Sequence, residues 1–286
     1  MSLTEITSAL LSRRPRAFLL RELEGFVKPF LAESSLSPRA AFEMTLEELL
    51  EAKTLRKLEL LPEDPRYKPI TRYTANDCTP LEIASSLKSS GFFSHATAAF
   101  LHGLTDVVPK VFYINHEQSP KPAPASPLRQ STIDNAFQRK QRLSRYIFRN
   151  DSARFVLLNG KNTKRLGVIS MTGPDGSKYK VTDLERTLVD CVVRPAYSGG
   201  IVQVLESFEQ AGGRLDCKRL SKTLAKLNYR YPYHQAIGFL LERAGFTTKD
   251  TKPFKDLGQE FSFYLSYGVK NPVLDRSWNL FIPKGF

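Results

Sequence analysis

The chain has 286 residues, 41% of them hydrophobic and 11% aromatic, which suits about two domains with their own cores and excludes a disordered protein. Its formal charge is +13 and its isoelectric point lies near 9.6, so a polyanionic partner is expected, nucleic acid first. No apolar run approaches the roughly 18 residues of a membrane span, the N-terminus lacks an apolar signal core, and Cys78, Cys191 and Cys217 form no C-x-x-C pair, so a cytoplasmic protein with no membrane, metal site, disulfide framework or cofactor is expected.

In chain order, residues 1–77 predict three helices and then two short strands. Thr4–Leu11 reads as a short helix, broken by the basic turn Arg13-Arg14-Pro15-Arg16. Phe18–Leu31 reads as a second apolar-faced segment, weakened by Gly25 and Pro29. Ser37-Pro38 is a strong helix start, with Ser at the N-cap and Pro at the first helical position. The helix that follows carries Phe42, Leu46, Leu49 and Leu50 on one face. Leu55–Leu61 and Ile70–Thr74 read as two strands, with the turn Glu63-Asp64-Pro65 between them. Three helices followed by a hairpin is the order of a winged helix-turn-helix, in which the third helix enters the major groove and the hairpin loop lies beside phosphates.

Thr79-Pro80 opens another helix, and Ser94 is the expected N-cap of a helix running to Thr105. Val111–Asn115 reads as a strand, and Ser119–Pro127, with four prolines, as a loop. A basic helix is expected over Ile133–Arg149. Phe155–Leu158, Leu166–Ser170 and Tyr179–Val181 read as strands, with Gly173-Pro174-Asp175-Gly176 as the turn between the last two. Thr182 or Asp183 then caps a helix with Leu184, Leu188 and Val192 on one face. Thr182 and Glu185 have the spacing of a capping box. Ile201–Ala211, Lys218–Leu227 and His234–Ala244 read as helices, and the last forty residues hold two short apolar segments, Phe261–Leu265 and Trp278–Ile282.

The stretch Val181-Thr182-Asp183-Leu184-Glu185-Arg186-Thr187-Leu188-Val189-Asp190, running to Gly200, resembles the signature of the AbiEi antitoxin family. Gly91–Leu104 resembles the family too. The resemblance implies an α+β protein, with an N-terminal winged helix-turn-helix over 1–77 and a larger mixed α/β antitoxin domain over 78–286. The latter contains a basic middle region at 110–180 and the signature helix at 182–194. It further implies a DNA-binding antitoxin and transcriptional autorepressor of a type IV toxin-antitoxin phage-defence operon. Such a protein binds inverted repeats in double-stranded DNA of its own promoter and counters a cognate nucleotidyltransferase toxin. It is not an enzyme.

The charge is unevenly placed. Residues 1–77 hold 12 basic and 12 acidic side chains, and residues 110–180 hold 14 basic against 4 acidic ones. Two sets of residues are therefore candidates for contact. The first is Arg39, Lys53, Arg56, Lys57, Arg66, Lys68 and Arg72 in the winged region, because guanidinium groups pair with guanine and phosphate in a fork. Glu43, Glu47, Glu48 and Glu51 on the same third helix would repel phosphates. The second set is Arg139, Arg142, Arg145 and Arg149. On a helix, the last three share one face and suit DNA, RNA or an acidic partner protein. Catalysis finds little support. His95, His102, His116 and His234 make no metal-binding spacing, and no phosphate loop or nucleophile elbow occurs. Helix capping and an Arg186–Asp190 ion pair account for the carboxylates of the signature. The alternative is a nucleic-acid-processing enzyme such as a nuclease, with the basic middle region as its substrate channel.

Overall fold

The structure, a computed structural model, describes residues 3–32, 34–122 and 126–286. The chain opens with α1 (Leu3–Ser12), β1 (Ala17–Phe18), α2 (Leu20–Val27), a 3-10 turn at Lys28–Leu31 and α3 (Pro38–Glu51), then the hairpin β2 (Leu55–Pro62) and β3 (Ile70–Ala75). α3 starts where Ser37 and Pro38 predict, because the Ser37 hydroxyl accepts from the free Ala40 N–H. α2 starts later than its apolar pattern suggests, since Phe18 pairs with Tyr73 in a strand. Ile6, Leu10, Leu23, Val27, Phe42 and Leu49 close one core against β2 and β3.

Next come α4 (Pro80–Ser86), β4 (Phe92–Phe93), α5 (His95–Leu101), β5 (Val111–Glu117), α6 (Gln130–Phe137), β6 (Ile147–Arg149), β7 (Arg154–Gly160), β8 (Val168–Thr172), β9 (Lys178–Thr182) and α7 (Leu184–Val193). The helices α8 (Ile201–Ala211), α9 (Cys217–Leu227), α10 (Tyr233–Arg243) and α11 (Thr248–Lys255) follow, then β10 (Phe263–Tyr264), β11 (Val273–Asp275) and β12 (Leu280–Ile282). Of the proline-rich loop predicted at Ser119–Pro127, residues 123–125 lie outside the described residues.

Among the described residues, nine strands form one mixed sheet in the order β1-β3-β2-β6-β7-β5-β4-β9-β8, and β10-β12-β11 form a second. The fold is thus mixed α+β, with a large sheet and, among the described residues, eleven α-helices. β5 and β7 run parallel over seven register pairs, from Val111↔Arg154 to Glu117↔Gly160. β7 is buried on both faces. Phe155 and Leu157 join a core with α4, and Val156 and Leu158 pack beneath Tyr197. This is the pattern of a central strand covered on both sides. A separate large core gathers α7 to α11 around Phe208, Leu240 and Trp278.

The sheet also runs across residue 77. β2 pairs with β3 on one side and, at Leu61↔Arg149 and Pro62↔Phe148, with β6 on the other. Behind it, Glu82 is fully buried and accepts from the Arg16 backbone N–H at 2.9 Å, the Thr79 N–H at 2.9 Å and the Ser177 hydroxyl at 3.3 Å. The Arg16 guanidinium bridges Glu82 and Asp77.

The basic helix predicted over Ile133–Arg149 is not formed. α6 ends at Phe137, whose ring stacks on Tyr267 at 4.3 Å and whose carbonyl accepts from Gly268 N–H. Residues 138–146 are irregular, and Ile147–Arg149 form β6 against β7. The Ser144 hydroxyl donates to the Leu157 carbonyl and the Leu157 N–H to the Tyr146 carbonyl. An open edge of β7 offers backbone partners to the aromatic and β-branched run Tyr146-Ile147-Phe148, and that pairing outweighs local helical spacing. Arg142, Arg145 and Arg149 therefore form no helical ridge.

Candidate functional site

Parts of the two basic sets meet along the hairpin. Arg39 is 88% exposed but is tied to Glu43 at 2.8 Å. Glu43, Glu47, Glu48 and Glu51 are exposed with it, while Phe42, Thr45 and Leu49 are buried. The outer face of α3 is therefore acidic. Lys53 is exposed in the turn before β2, in left-handed backbone at φ 54°. Lys57 and Lys68 are exposed as well, and the exposed Arg56 reaches Thr74 Oγ1 at 3.2 Å. Arg66 forks onto Asp64 through Nε at 2.9 Å and 3.1 Å, which holds the Asp64 carboxyl down at about 2. Arg72 is different. It is 6% exposed, and its guanidinium donates to Ser86 Oγ, the Ser86 carbonyl and the Thr71 carbonyl. It anchors β3 to α4 and offers nothing to the surface.

The pairing of β6 with β2 brings part of the second set to this hairpin. Arg154 grips Glu63 at 2.5 Å and 2.6 Å. That bond holds the Glu63 carboxyl below its ordinary range, and the charge of Arg149 adds to the effect. Arg145 likewise contributes to the low value of Asp64. Arg145 and Arg149 are thus neighbours of the hairpin loop, and both are exposed. Arg139 is exposed just after α6, and Arg142 lies apart, on the rim of a cleft.

That cleft has a volume of about 990 Å³. It opens where the parallel strands β5 and β7 end, at Asn115 and at Leu158–Gly160. α7 contributes Arg186 and Asp190, and the α9–α10 loop contributes Tyr229 and Tyr231. α7 is positioned by Asp183, which caps it by accepting from Arg186 N–H at 2.8 Å. No capping box forms there, because Thr182 stays in β9 bonded to Thr187 and Glu185 turns to Arg219 at 3.3 Å. Nine of the ten α7 residues are buried. The buried Arg186 and Asp190 pair at 2.8 Å, and Arg186 also donates to the Leu166 carbonyl. Burial lowers the Arg186 pKa, but Asp190, Tyr229 and Glu117 together outweigh it and the net shift is upward.

His95 and His102 do not form a matched pair. His95 opens α5 at the cleft wall, packs edge-on against Tyr197 and bonds Ser94. Burial pushes its pKa down to about 4. His102 caps the other end of α5 and bonds the Thr182 carbonyl at 2.6 Å. The three cysteines are free and buried, and burial pushes the Cys78 and Cys191 thiols up to about 12. Among the described residues no group of three or more His, Cys, Asp or Glu side chains could hold a metal ion, and no helix is long and apolar enough to cross a membrane. The cleft was not foreseen from sequence. Its residues run from His95 to Tyr267 and share no local spacing.

A solved structure similar in fold is that of the RV2827C protein from Mycobacterium tuberculosis. It superposes with a TM-score of 0.56 at 15% identity, over 98% of this chain and 90% of that one. At that identity the likeness is one of fold alone. No protein family and no curated protein matches the chain.

Proposed function

We propose that the chain is a DNA-binding antitoxin and autorepressor of the AbiEi type, whose DNA contact is carried by the hairpin and its neighbouring strand rather than by α3. The observation that supports this is the β2–β6 pairing, which brings exposed Arg145 and Arg149 beside the hairpin that carries exposed Lys57, Arg66 and Lys68. A cluster of basic side chains tracks phosphates, and here it stands beside Glu59, Glu63 and Asp64, two of which are already paired with Arg154 and Arg66, whereas four exposed glutamates on α3 would repel phosphates. The order of three helices and a hairpin over 1–77 is the order in which a wing lies beside the backbone. The remainder of the chain, 78–286, is the antitoxin unit in this reading. The chain carries out no reaction of its own, and chemistry belongs to the nucleotidyltransferase toxin that it counters.

The test is a gel-shift titration on the double-stranded DNA upstream of its own gene, against scrambled DNA at matched salt. Specific binding should weaken steeply as salt rises, through counterion release. Arg145→Glu with Arg149→Glu should lower promoter affinity at least tenfold, while Arg39→Ala should change it little. Equal affinity for promoter and scrambled DNA would refute the repressor. A growth-rescue assay with the toxin, run on the same double variant, should still show protection, and its loss with a normal melt would refute the separation of the two roles.

A further inference from the structure

The central cleft carries a pattern that DNA repression does not use. Its rim is cationic: Lys121, Arg142, Lys161 and Arg230 are exposed there. Among the described residues, the Lys121 and Arg142 side chains have no hydrogen bond or ion pair, whereas Lys161 holds the Leu227 and Asn228 carbonyls and Arg230 the Ser126 and Pro127 carbonyls. Among the described residues, Asp190 is the single carboxylate in the lining, and Arg186 neutralises it.

The floor has the opposite need. Asn115 is 4% exposed and Asp190 3% exposed, both line the cleft, and each has a buried side-chain oxygen, Asn115 Oδ1 and Asp190 Oδ2, with no hydrogen-bond partner. Buried acceptors of this kind call for donors. The glycine at 160 lets Asn115 lie close, since a Cβ there would overlap its side-chain amide. Between floor and rim stand half-buried tyrosines, Tyr229 and Tyr231, with Lys161 Nζ 5.5 Å from the Tyr229 ring centre.

A plain anion would satisfy the rim but bring no donor to the floor. A ligand that fits both has a negative charge at one end, and donor groups with a flat ring at the other. The geometry points to a nucleotide as the occupant of this cleft, its phosphates on Arg142 and Lys121, its base against Tyr229 and Tyr231, and its amino or hydroxyl donors toward Asn115 and Asp190. The volume lies within the range of about 300–1,000 Å³ for small-ligand sites, tyrosine faces stack on any base, and the carboxyl ends of parallel strands are a recurrent place for such sites. The ligand is either a free nucleotide or the 5′-phosphorylated end of a strand, and the site is separate from the promoter-binding surface.

The test is calorimetric titration of the full chain with ATP, GTP, CTP and UTP, with a 5′-phosphorylated trinucleotide too short to engage the hairpin surface, and with pyrophosphate. Saturable one-site binding by a nucleoside triphosphate or by the trinucleotide is expected, and which of the two binds identifies the source. Pyrophosphate should be at least tenfold weaker. Arg142→Ala, a change at an exposed side chain, should weaken binding tenfold or more with an unchanged melt, and Asn115→Leu should do so where it folds. No saturable binding at millimolar concentration, pyrophosphate binding as tightly as any nucleotide, or full affinity in Arg142→Ala would each overturn the proposal. The Arg145→Glu, Arg149→Glu double variant should keep nucleotide binding while losing the promoter shift, so failure at one surface is not mistaken for failure at the other.

Discussion

His95 shows how one buried side chain makes stability depend on pH. Its folded value is near 4, set chiefly by burial, with Arg186 and Arg194 lowering it and Asp190 raising it, against an ordinary value of about 6.5 in the unfolded chain. Between those values the unfolded state binds the extra proton. Stability should therefore be full above about pH 6.5, fall by on the order of 3 kcal/mol as pH drops toward 4, and gain no further slope from this group below that. Urea melts across this range should show the slope, and His95→Asn, which tolerates the positive φ of 52°, should flatten it. A slope unchanged in the variant would mean that other groups produce it. Arg186 and Asp190 behave as a unit. Arg186→Met would strand a buried carboxylate and should cost about 3–5 kcal/mol in denaturant unfolding, and adding Asp190→Leu should restore much of the loss.

Elements with strong local signals formed where the sequence indicates. α8 occupies Ile201–Ala211 as read from its apolar spacing, and α3 begins at its Ser-Pro start. The segment after α6 did not, because its outcome depended on a strand edge that only the folded sheet supplies. α10 illustrates a different dependence. Gly238 lies under the ring of Trp278, where a Cβ would overlap the indole. The same ring donates through Nε1 to Glu242 and lies 4.1 Å from Lys255 Nζ. Gly238→Ala should thus lift the second sheet from α10, at a cost of about 1–3 kcal/mol. Trp278 is the sole tryptophan of the chain, so its fluorescence should shift with the melt. An unchanged spectrum and midpoint would contradict this packing.

Across the whole molecule, the acid–base network at Glu82 ties the N-terminal helices to the rest. Burial raises the Glu82 pKa, but the Thr79 N–H and the Arg16 side chain and N–H outweigh it, and the net shift is downward. A carboxylate held below its ordinary range adds stability that is present at neutral pH and is lost as pH falls through the folded value. Glu82→Ala would leave Arg16 buried with only Asp77 and should cost about 3–5 kcal/mol. Limited proteolysis of that variant should cut first between residues 1–77 and the remainder. Cleavage elsewhere, with the melt intact, would show that the β2–β6 pairing holds the two parts without Glu82.

Composition, capping residues and apolar periodicity sufficed for the order of most helices and strands, for the buried ion pair inside the α7 signature, and for the location of the excess charge, because each is written in neighbouring residues. Two-residue strands such as β4 carry no period, and α11 contains Pro253, so neither was legible. The inward turn of Arg72, the division of the basic segment between hairpin and cleft, and the placing of Asn115 and Asp190 in one cleft were settled only by tertiary structure. Each depends on partners in other elements, from Ser86 in α4 for Arg72 to segments many tens of residues away for the other two, whose pairing outweighs any preference that the local sequence expresses.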